Sequence, residues 1–587
     1  MANIALGISR GIHALRRLLQ VAVYAVRVGL GSRPYRSPAG SQSIRFSILL
    51  PVHCPKLSHL RQAIGSVIGQ NYSNWELCIT DDGSRKESIT TLLGALQDDP
   101  RIKIVELEQS RGIAIATNSS IAMATGDWMV FLDHDDLLTR DALGRIAAAI
   151  EGNPGLRLIY SDEDKISSWG WRFDPYFKPD WSPELLLSQN YLCHLVAVRA
   201  DLFRELGGIR EGFDGAQDWD FVLRAAELCL AEEIHHIPHI LYHWRTARGS
   251  TARSAKSKPA VPDASKRALK EACDRKGIVI EGVEQMSRGG HFRIRRSLPS
   301  PPPLVSVIIP TRNQPELLKK CLLGLREKTD YPALEILVVD NGSDDPAMEE
   351  IYSREREGIR LLRDPRPFNF SAMNNQATEQ AAGEILLLLN NDVEPLDPDW
   401  LREMVTHAVC PEIGAVGAML LYPDGRIQHA GITLGISGPM RVGGVAGHPG
   451  KRMRPDKRVM GNLLRVTRNV SAVTGACLAI RKTIYHEVGG FDEEGLPVAF
   501  NDVDFCIRVM QAGYRNLWTP HARLTHHESL SRGGEDSPEK IARFRREVGI
   551  MRKRWGELLD NDPYYNPNLT LVHENWGLAG TARPERS

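Results

Sequence analysis

The chain has 587 residues, 42% hydrophobic and 25% charged, and 73 Lys and Arg against 72 Asp and Glu leave a net charge of +1. That length exceeds a single core and fits two domains of about 250 residues each. Near-neutrality gives no global field for nucleic acid and the recognised nucleic-acid motifs are missing, while nine cysteines without a Cys-x-x-Cys pair argue against zinc or a disulfide framework and for reduced thiols in a cytosolic protein.

Residues 1–43 stand apart. Leu15 through Leu30 is mostly apolar but carries Arg16, Arg17 and Arg27, which makes it too short and too charged for a membrane span and a poor match to a signal peptide. It reads as a basic amphipathic segment lying on an anionic membrane surface, with arginines snorkelling beside Leu18, Leu19, Val23 and Val26, or else as a tail or a docked helix.

The body of the chain alternates strands and helices. Ser47 to Leu50 is a short buried strand stopping at Pro51, and Leu57, Leu60, Ile64, Val67 and Ile68 follow at helical spacing. Leu77 to Thr80 runs into the turn Asp81-Asp82-Gly83-Ser84. Strands at Ile102 to Leu107 and Trp128 to Leu132 follow, each preceded by a helix. Such alternation predicts an α/β fold with right-handed crossovers and a mostly parallel sheet.

The same order then recurs. Val305 to Ile309 is a strand, Pro315 to Arg326 a helix, and Ile336 to Val339 a strand ending in Asp340-Asn341-Gly342-Ser343. Gly126 to Asp135 aligns without a gap on Gly383 to Asp392, and Gln217-Asp218-Trp219-Asp220-Phe221 answers Asn501-Asp502-Val503-Asp504-Phe505. The chain is a tandem duplication: domains at 44–296 and 304–562, a stiff Pro-rich spacer at 297–303, and a tail at 563–587.

Ligands of open parallel sheets bind beyond the carboxyl ends of the strands, where the acidic turns fall. Carboxylates as close as those of Asp133-His134-Asp135 repel unless a cation or protons intervene, so a divalent ion shared with diphosphate oxygens is expected there. Asp392 keeps the place of Asp135, which makes these two the direct metal ligands. Asp133 and its counterpart Asn390 touch ribose, or the ion through water. Asp218 and Asp502 open amphipathic helices and are assigned as general bases, supported by Asp220 and Asp504. His243 and His526 follow them at nearly matched offsets and are read as further metal ligands, with His526 and His527 not separable. Imidazole beside carboxylate suits Mn²⁺ or Mg²⁺. The glycine-rich stretch Gly443 to Gly450 is either a lid or an ordinary loop.

Together these residues resemble the inverting glycosyltransferases of family 2, which have the Rossmann-like GT-A fold, over about residues 45–255 and 304–535. The resemblance implies that Asp81 or Asp82, and Asp340, read the base of a nucleotide-sugar. It implies that Asp218 and Asp502 are the bases of the family's Glu-Asp-type motif, here with Gln217 and Asn501 in the first place. Asn390-Asn391-Asp392, Gly490-Phe491-Asp492 and His526-His527-Glu528-Ser529 are similar to the rhamnosyltransferase-type branch. The tandem arrangement resembles assembly enzymes of O-antigen and other surface polysaccharides. That implies UDP-, dTDP- or GDP-sugar donors, lipid-linked oligosaccharide acceptors, and a cytoplasmic position, peripheral on the inner membrane. The competing expectation is one catalytic copy beside a degenerate sugar-nucleotide or glycan-binding copy, which Asn390 would permit. A nucleotidylyltransferase is excluded because no basic Gly-rich loop follows the first strand of either copy.

Overall fold

In the first copy the apolar runs form nine strands: β1 Phe46–Val52, β2 Trp75–Asp81, β3 Ile102–Glu106, β4 Trp128–Phe131, β5 Leu137–Leu138, β6 Leu158–Ile166, β7 Arg172–Tyr176, β8 Val196–Arg199 and β9 Ile234–Arg245. The structure, a computed structural model, describes Tyr24 and residues 43–246, 261–287, 290–437, 444–527 and 537–584. The segment expected on a membrane surface (but for Tyr24 and Ser43), Gly443, Glu528 and Ser529 lie outside these residues.

The strands order as β3-β2-β1-β4-β8-β6-β9-β5, with β7 on β6. The four that begin the copy are parallel, while β8 runs antiparallel between β4 and β6. Pro51 lies past Leu49, the last residue of β1 registered with β4, so its missing N–H removes no rung from that pairing. Helix Leu57–Ile68 turns Leu60, Ala63, Ile64 and Val67 onto the sheet at helical period. Leu60, Ile64 and Val67 join Ile48, Leu50, Leu77, Ile79 and Val130 in one core.

The second copy repeats the order strand for strand: Arg360–Arg363, Leu334–Asp340, Val305–Thr311, Ile385–Leu389, Cys477–Arg481, Ile413–Leu421, Arg515–His526 and Val393–Pro395. Its core gathers Val305, Val307, Leu318, Val338, Leu387 and Trp400 in the same way. The chain divides into two compact units, one of residues 1–181, 190–276 and 285–290, the other of 182–189, 277–284 and 291–587. The second unit therefore includes stretches that the sequence boundary at 297–303 assigns to the first domain. The reason is polar packing: Arg515 holds Glu184 at 2.8 Å, Arg293 holds Glu403 at 2.7 Å, and Ser182 donates to Asn469 at 2.8 Å.

Two further expectations change. The stretch read as a tail from 563 is packed, with Tyr565, Leu569 and Trp576 buried. It also ties down the glycine-rich loop, because Gly450 N donates to the Glu574 carbonyl at 2.7 Å and His448 N to Glu574 Oε1 at 2.8 Å. Arg552 holds the Gly444 carbonyl at 2.6 Å, and Ala446–Gly447 pairs with Thr433–Leu434. The described part of this loop is an anchored element rather than a free lid.

A buried polar staple fixes the parallel strands identically in both copies. Ser47 Oγ donates to Glu76, accepts from Gly126 N at 2.8 Å, and Glu76 also takes Thr125 N. Ser306, Glu335, Gly383 and Ala382 repeat it. Burial alone would raise the Glu76 carboxyl, but Lys103, Ser47 and Thr125 outweigh it and bring the pKa to about 2. A Cβ on Gly126 would sit 2.6 Å from Ser47 Oγ, and one on Gly383 2.5 Å from Ser306 Oγ. Gly126→Ala and Gly383→Ala are each expected to cost about 1–3 kcal/mol, read as an earlier urea midpoint of the full chain; an unmoved midpoint for both would remove the staple from the account.

Candidate functional site

Beyond β4 the chain turns sharply. Asp136 N donates to the Asp133 carbonyl at 3.1 Å, closing a four-residue turn that sets the first and last side chains side by side. Asp133, Asp136 and His194 thereby bring one ligand atom each within 4.8 Å of one another, the one such group among the described residues. Asp136 is fully buried, receiving the Tyr242 hydroxyl at 2.7 Å and Arg245 N at 2.6 Å. Burial pushes its carboxyl well up and the Asp133 and Asp135 charges add to this; burial and Asp133 raise Asp135 likewise. A cluster of this kind is short of positive charge, and two oxygens with one imidazole nitrogen fit a Mn²⁺- or Mg²⁺-type ion.

The imidazole in that group is not the expected one. His243 lies on β9 opposite Leu137 and its Nδ1 is 2.6 Å from Asp164 Oδ1. Asp164 also takes Arg172 Nε at 2.7 Å and the Tyr24 hydroxyl at 2.6 Å. Side chains alternate along a strand, and the residues flanking His243 turn the other way: Tyr242 stacks on His194 at 4.7 Å and Trp244 meets it edge-on at 5.7 Å. His194 stands in the loop before β8, and the paired registers of Arg199 with Trp128 and Arg481 with Ile385 make Ala476 its counterpart. A search for residues kept in both copies passes over it. Asp135, expected as the direct ligand, is absent from the three-residue group.

The second copy assembles differently. Val393 N donates to the Asn390 carbonyl at 3.3 Å, repeating the turn with an apolar side chain in the place of Asp136. His526 on the last strand lies opposite Val393, with Nε2 3.1 Å from Asp392 Oδ1. His527 goes instead to Glu394, 3.6 Å away. Asn391 donates to Thr311 Oγ1 at 2.8 Å. His429 Nδ1 lies 3.0 Å from His448 Nδ1, and burial together with the charges of His448, Arg468 and His526 depresses its pKa well below the ordinary value.

The helix that carries the proposed base is Gln217–Glu227, answered by Asn501–Gln511. Each opens with two carboxylates of different fate. Asp220 is fully buried between Arg210 and Arg224, and Arg224 also donates to the carbonyls of Leu206 and Gly208. Asp504 is buried under Arg508, Arg554 and the Trp555 indole, and Arg508 donates to the carbonyls of Val488 and Gly490. Asp218 and Asp502 are only partly covered. Asp218 accepts from Asn190 at 3.1 Å; burial raises its carboxyl, the positive charge of His194 opposes the rise and Asp133 adds to it. Asp502 accepts from Gly475 N at 2.9 Å.

At the end of β2 the two neighbouring candidates also separate. Asp81 accepts from Ser84 N and Oγ, as Asp340 does from Ser343. Asp82 instead binds Ser110 Oγ at 2.8 Å, Arg111 N at 2.6 Å and Gly112 N at 3.1 Å, which holds the loop after β3. Asn341 holds the corresponding loop with reversed polarity, donating to the carbonyls of Asp364 and Arg366.

The Glycosyl transferase family 2 model matches residues 47–207 and again 306–489. The chain is 45% identical over 544 residues to the Sinorhizobium fredii protein y4gI, covering 91% of this chain and 58% of that one. It is 38% identical over 538 residues to the O-antigen biosynthesis protein RfbC of Myxococcus xanthus, covering 91% of this chain and 41% of the relative. It thus spans less than two thirds of either. Among solved structures, GalNAc-T7 with UDP, GalNAc and Mn²⁺ is similar at a TM-score of 0.36 and 17% identity, over 48% of this chain and 53% of that chain.

The contrast within each helix is directly testable. Asp220→Asn and Asp504→Asn each break a fully buried carboxylate's pairing with two arginines and are expected to cost about 3–5 kcal/mol in chemical denaturation. Asp218→Asn removes a carboxylate whose ionised form burial disfavours, and stability is expected to hold or rise; equal losses for all three would deny that the pair divides its labour.

Proposed function

The chain belongs to glycosyl transferase family 2, and on that premise we propose that each copy moves a sugar from a nucleotide-diphosphate donor onto a growing surface polysaccharide, with inversion. The single observation that carries this reading is the recurrence, in both copies, of a partly exposed carboxylate at a helix start whose neighbouring carboxylate is fully engaged by arginine. Asp218 and Asp502, rather than their arginine-bound neighbours, take the acceptor hydroxyl proton in this reading as that oxygen attacks the anomeric carbon. One displacement with no enzyme nucleophile inverts the centre. The raised carboxyl of Asp218 makes it a stronger proton acceptor than an exposed aspartate.

A bound Mn²⁺ or Mg²⁺ would supply charge neutralisation for the diphosphate leaving group. In the first copy Asp133, Asp136 and His194 would hold it, with Asp135 beside them; in the second, Asp392 and His526 would do so. Asp81 and Asp340, at the far end of each crevice, are proposed to face the base. The acceptor is proposed to be a lipid-linked oligosaccharide, met at the cytoplasmic face of the inner membrane. Among the described residues no helix is long and apolar enough to cross a membrane, so contact with that surface falls to peripheral elements.

Nucleoside diphosphate release by the full chain, with Mn²⁺, a panel of UDP-, dTDP- and GDP-sugars and lipid-linked acceptor, tests the proposal. Asp218→Asn and Asp502→Asn are each expected to lower one transfer by about 10²–10⁴-fold. Loss with one substitution alone would establish the reading of one catalytic and one binding copy; indifference to both would overturn the assignment of the base.

A further inference from the structure

The base-facing ends of the two crevices share one carboxylate and differ in everything that faces it. In the first copy Asp81 is registered opposite Glu106 of β3. Ser84 occupies its Oδ1, and among the described residues its Oδ2 has no donor. In the second copy the same register places Arg363 opposite Asp340. Arg363 donates to Asp340 Oδ2 and to Glu349 Oε1, and its guanidinium lies 4.9 Å over the Tyr352 ring. Counted without a gap from the shared Gly-Ser of the turn, Thr90 and Leu93 stand where Glu349 and Tyr352 do. The arginine and both of its supports therefore belong to the second copy alone.

The chemistry offered to a base is correspondingly opposite. The first crevice presents an acceptor, a free carboxylate oxygen with a second carboxylate nearby. That suits a ring N–H donor, the N3–H of uracil or thymine or the N1–H of guanine, and repels an edge made only of acceptors such as guanine O6 and N7. In the second crevice the carboxylate is engaged on both oxygens, and what remains is a flat, anchored guanidinium with unused N–H donors. A planar fork of donors matches the adjacent O6 and N7 acceptors of guanine. We infer that the two copies read different edges of a base: the first a ring N–H through Asp81, the second the O6 and N7 acceptors of guanine through Arg363. This rests on Asp81 and Asp340 facing the base, as proposed above.

The test is equilibrium binding of UDP and GDP, each with Mn²⁺, to the full chain. Wild type is expected to bind GDP at a site from which UDP does not displace it. Arg363→Ala is expected to weaken that GDP binding by tenfold or more and leave UDP unchanged, while Asp81→Asn weakens UDP and spares it. Arg363→Lys keeps the charge that balances Asp340 but loses the planar fork, so it should lose this GDP binding as well while the thermal melt holds. Full displacement of GDP by UDP, or an unchanged GDP-to-UDP ratio in both Arg363 variants, overturns the inference. If Asp81→Asn and Asp340→Asn leave every nucleotide unaffected, the base-facing placement itself fails; if they act while the Arg363 variants do not, only the division of edges does.

Discussion

In both copies an aspartate and an arginine four residues apart, Asp220 with Arg224 and Asp504 with Arg508, meet at the start of the reactive helix, with the carboxylate wholly buried. A buried charge must be paired and have its remaining hydrogen-bond capacity filled. Each arginine does both, reaching past its aspartate to two backbone carbonyls of the turn before the helix, at Leu206 and Gly208 or at Val488 and Gly490. The residue after that turn is clamped from the other side: Asn118 exchanges hydrogen bonds with the Ile209 backbone, and Asn375 with that of Phe491. Helix, turn and sheet-side helix thus lock together, and the position of the preceding carboxylate is fixed with them.

The first unit makes the same point about charge at a larger scale. Strand β6 buries Asp162, Glu163 and Asp164, yet each has a basic partner: His236 at 2.9 Å, Lys178 at 3.2 Å and Arg172 at 2.7 Å. Between Asp162 and Asp180 the His236 pKa rises to about 9 despite its burial. Among the described residues no such ion pair serves Asp133, Asp135 and Asp136: Asp136 receives the Tyr242 hydroxyl and Arg245 N, and Asp135 feels the charges of His134 and Arg245 without contact. Uncompensated carboxylates beside fully compensated ones support the proposal that an external cation is held there. The second unit carries Met419-Leu420-Leu421 along the corresponding strand, and the ligands proposed for its crevice are Asp392 and His526.

Much of this was legible in the sequence because duplication exposes it. Apolar strands ending in polar punctuation recur in register, and the structure repeats even the sheet order. The paired carboxylates of each helix were visible too, though not why two are needed, since Arg210 lies outside the helix and Arg554 is remote in sequence. The nearly matched histidine offset hid a difference. His243 stands one residue farther from Asp218 than His526 does from Asp502, and one residue on a strand reverses the face. His194 escaped because its counterpart is alanine, and Asp81 and Asp82 stayed alternatives because the amide partners of Asp82 at Arg111 and Gly112 leave no sequence signal. Packing of the last residues through Tyr565 and Trp576 was hidden for the same reason: aromatic residues in a turn-rich segment have no periodicity to reveal their face.

The two crevices of one scaffold are proposed to recruit an imidazole from different elements, His194 from the loop before β8 and His526 from the last strand. Counting Mn²⁺ bound per chain, by the loss of the free-ion electron paramagnetic resonance signal, tests this proposal most directly. It predicts two equivalents, with His194→Ala removing one, His526→Ala the other, and His243→Ala neither. Binding that survives His194→Ala and disappears with His243→Ala would contradict it.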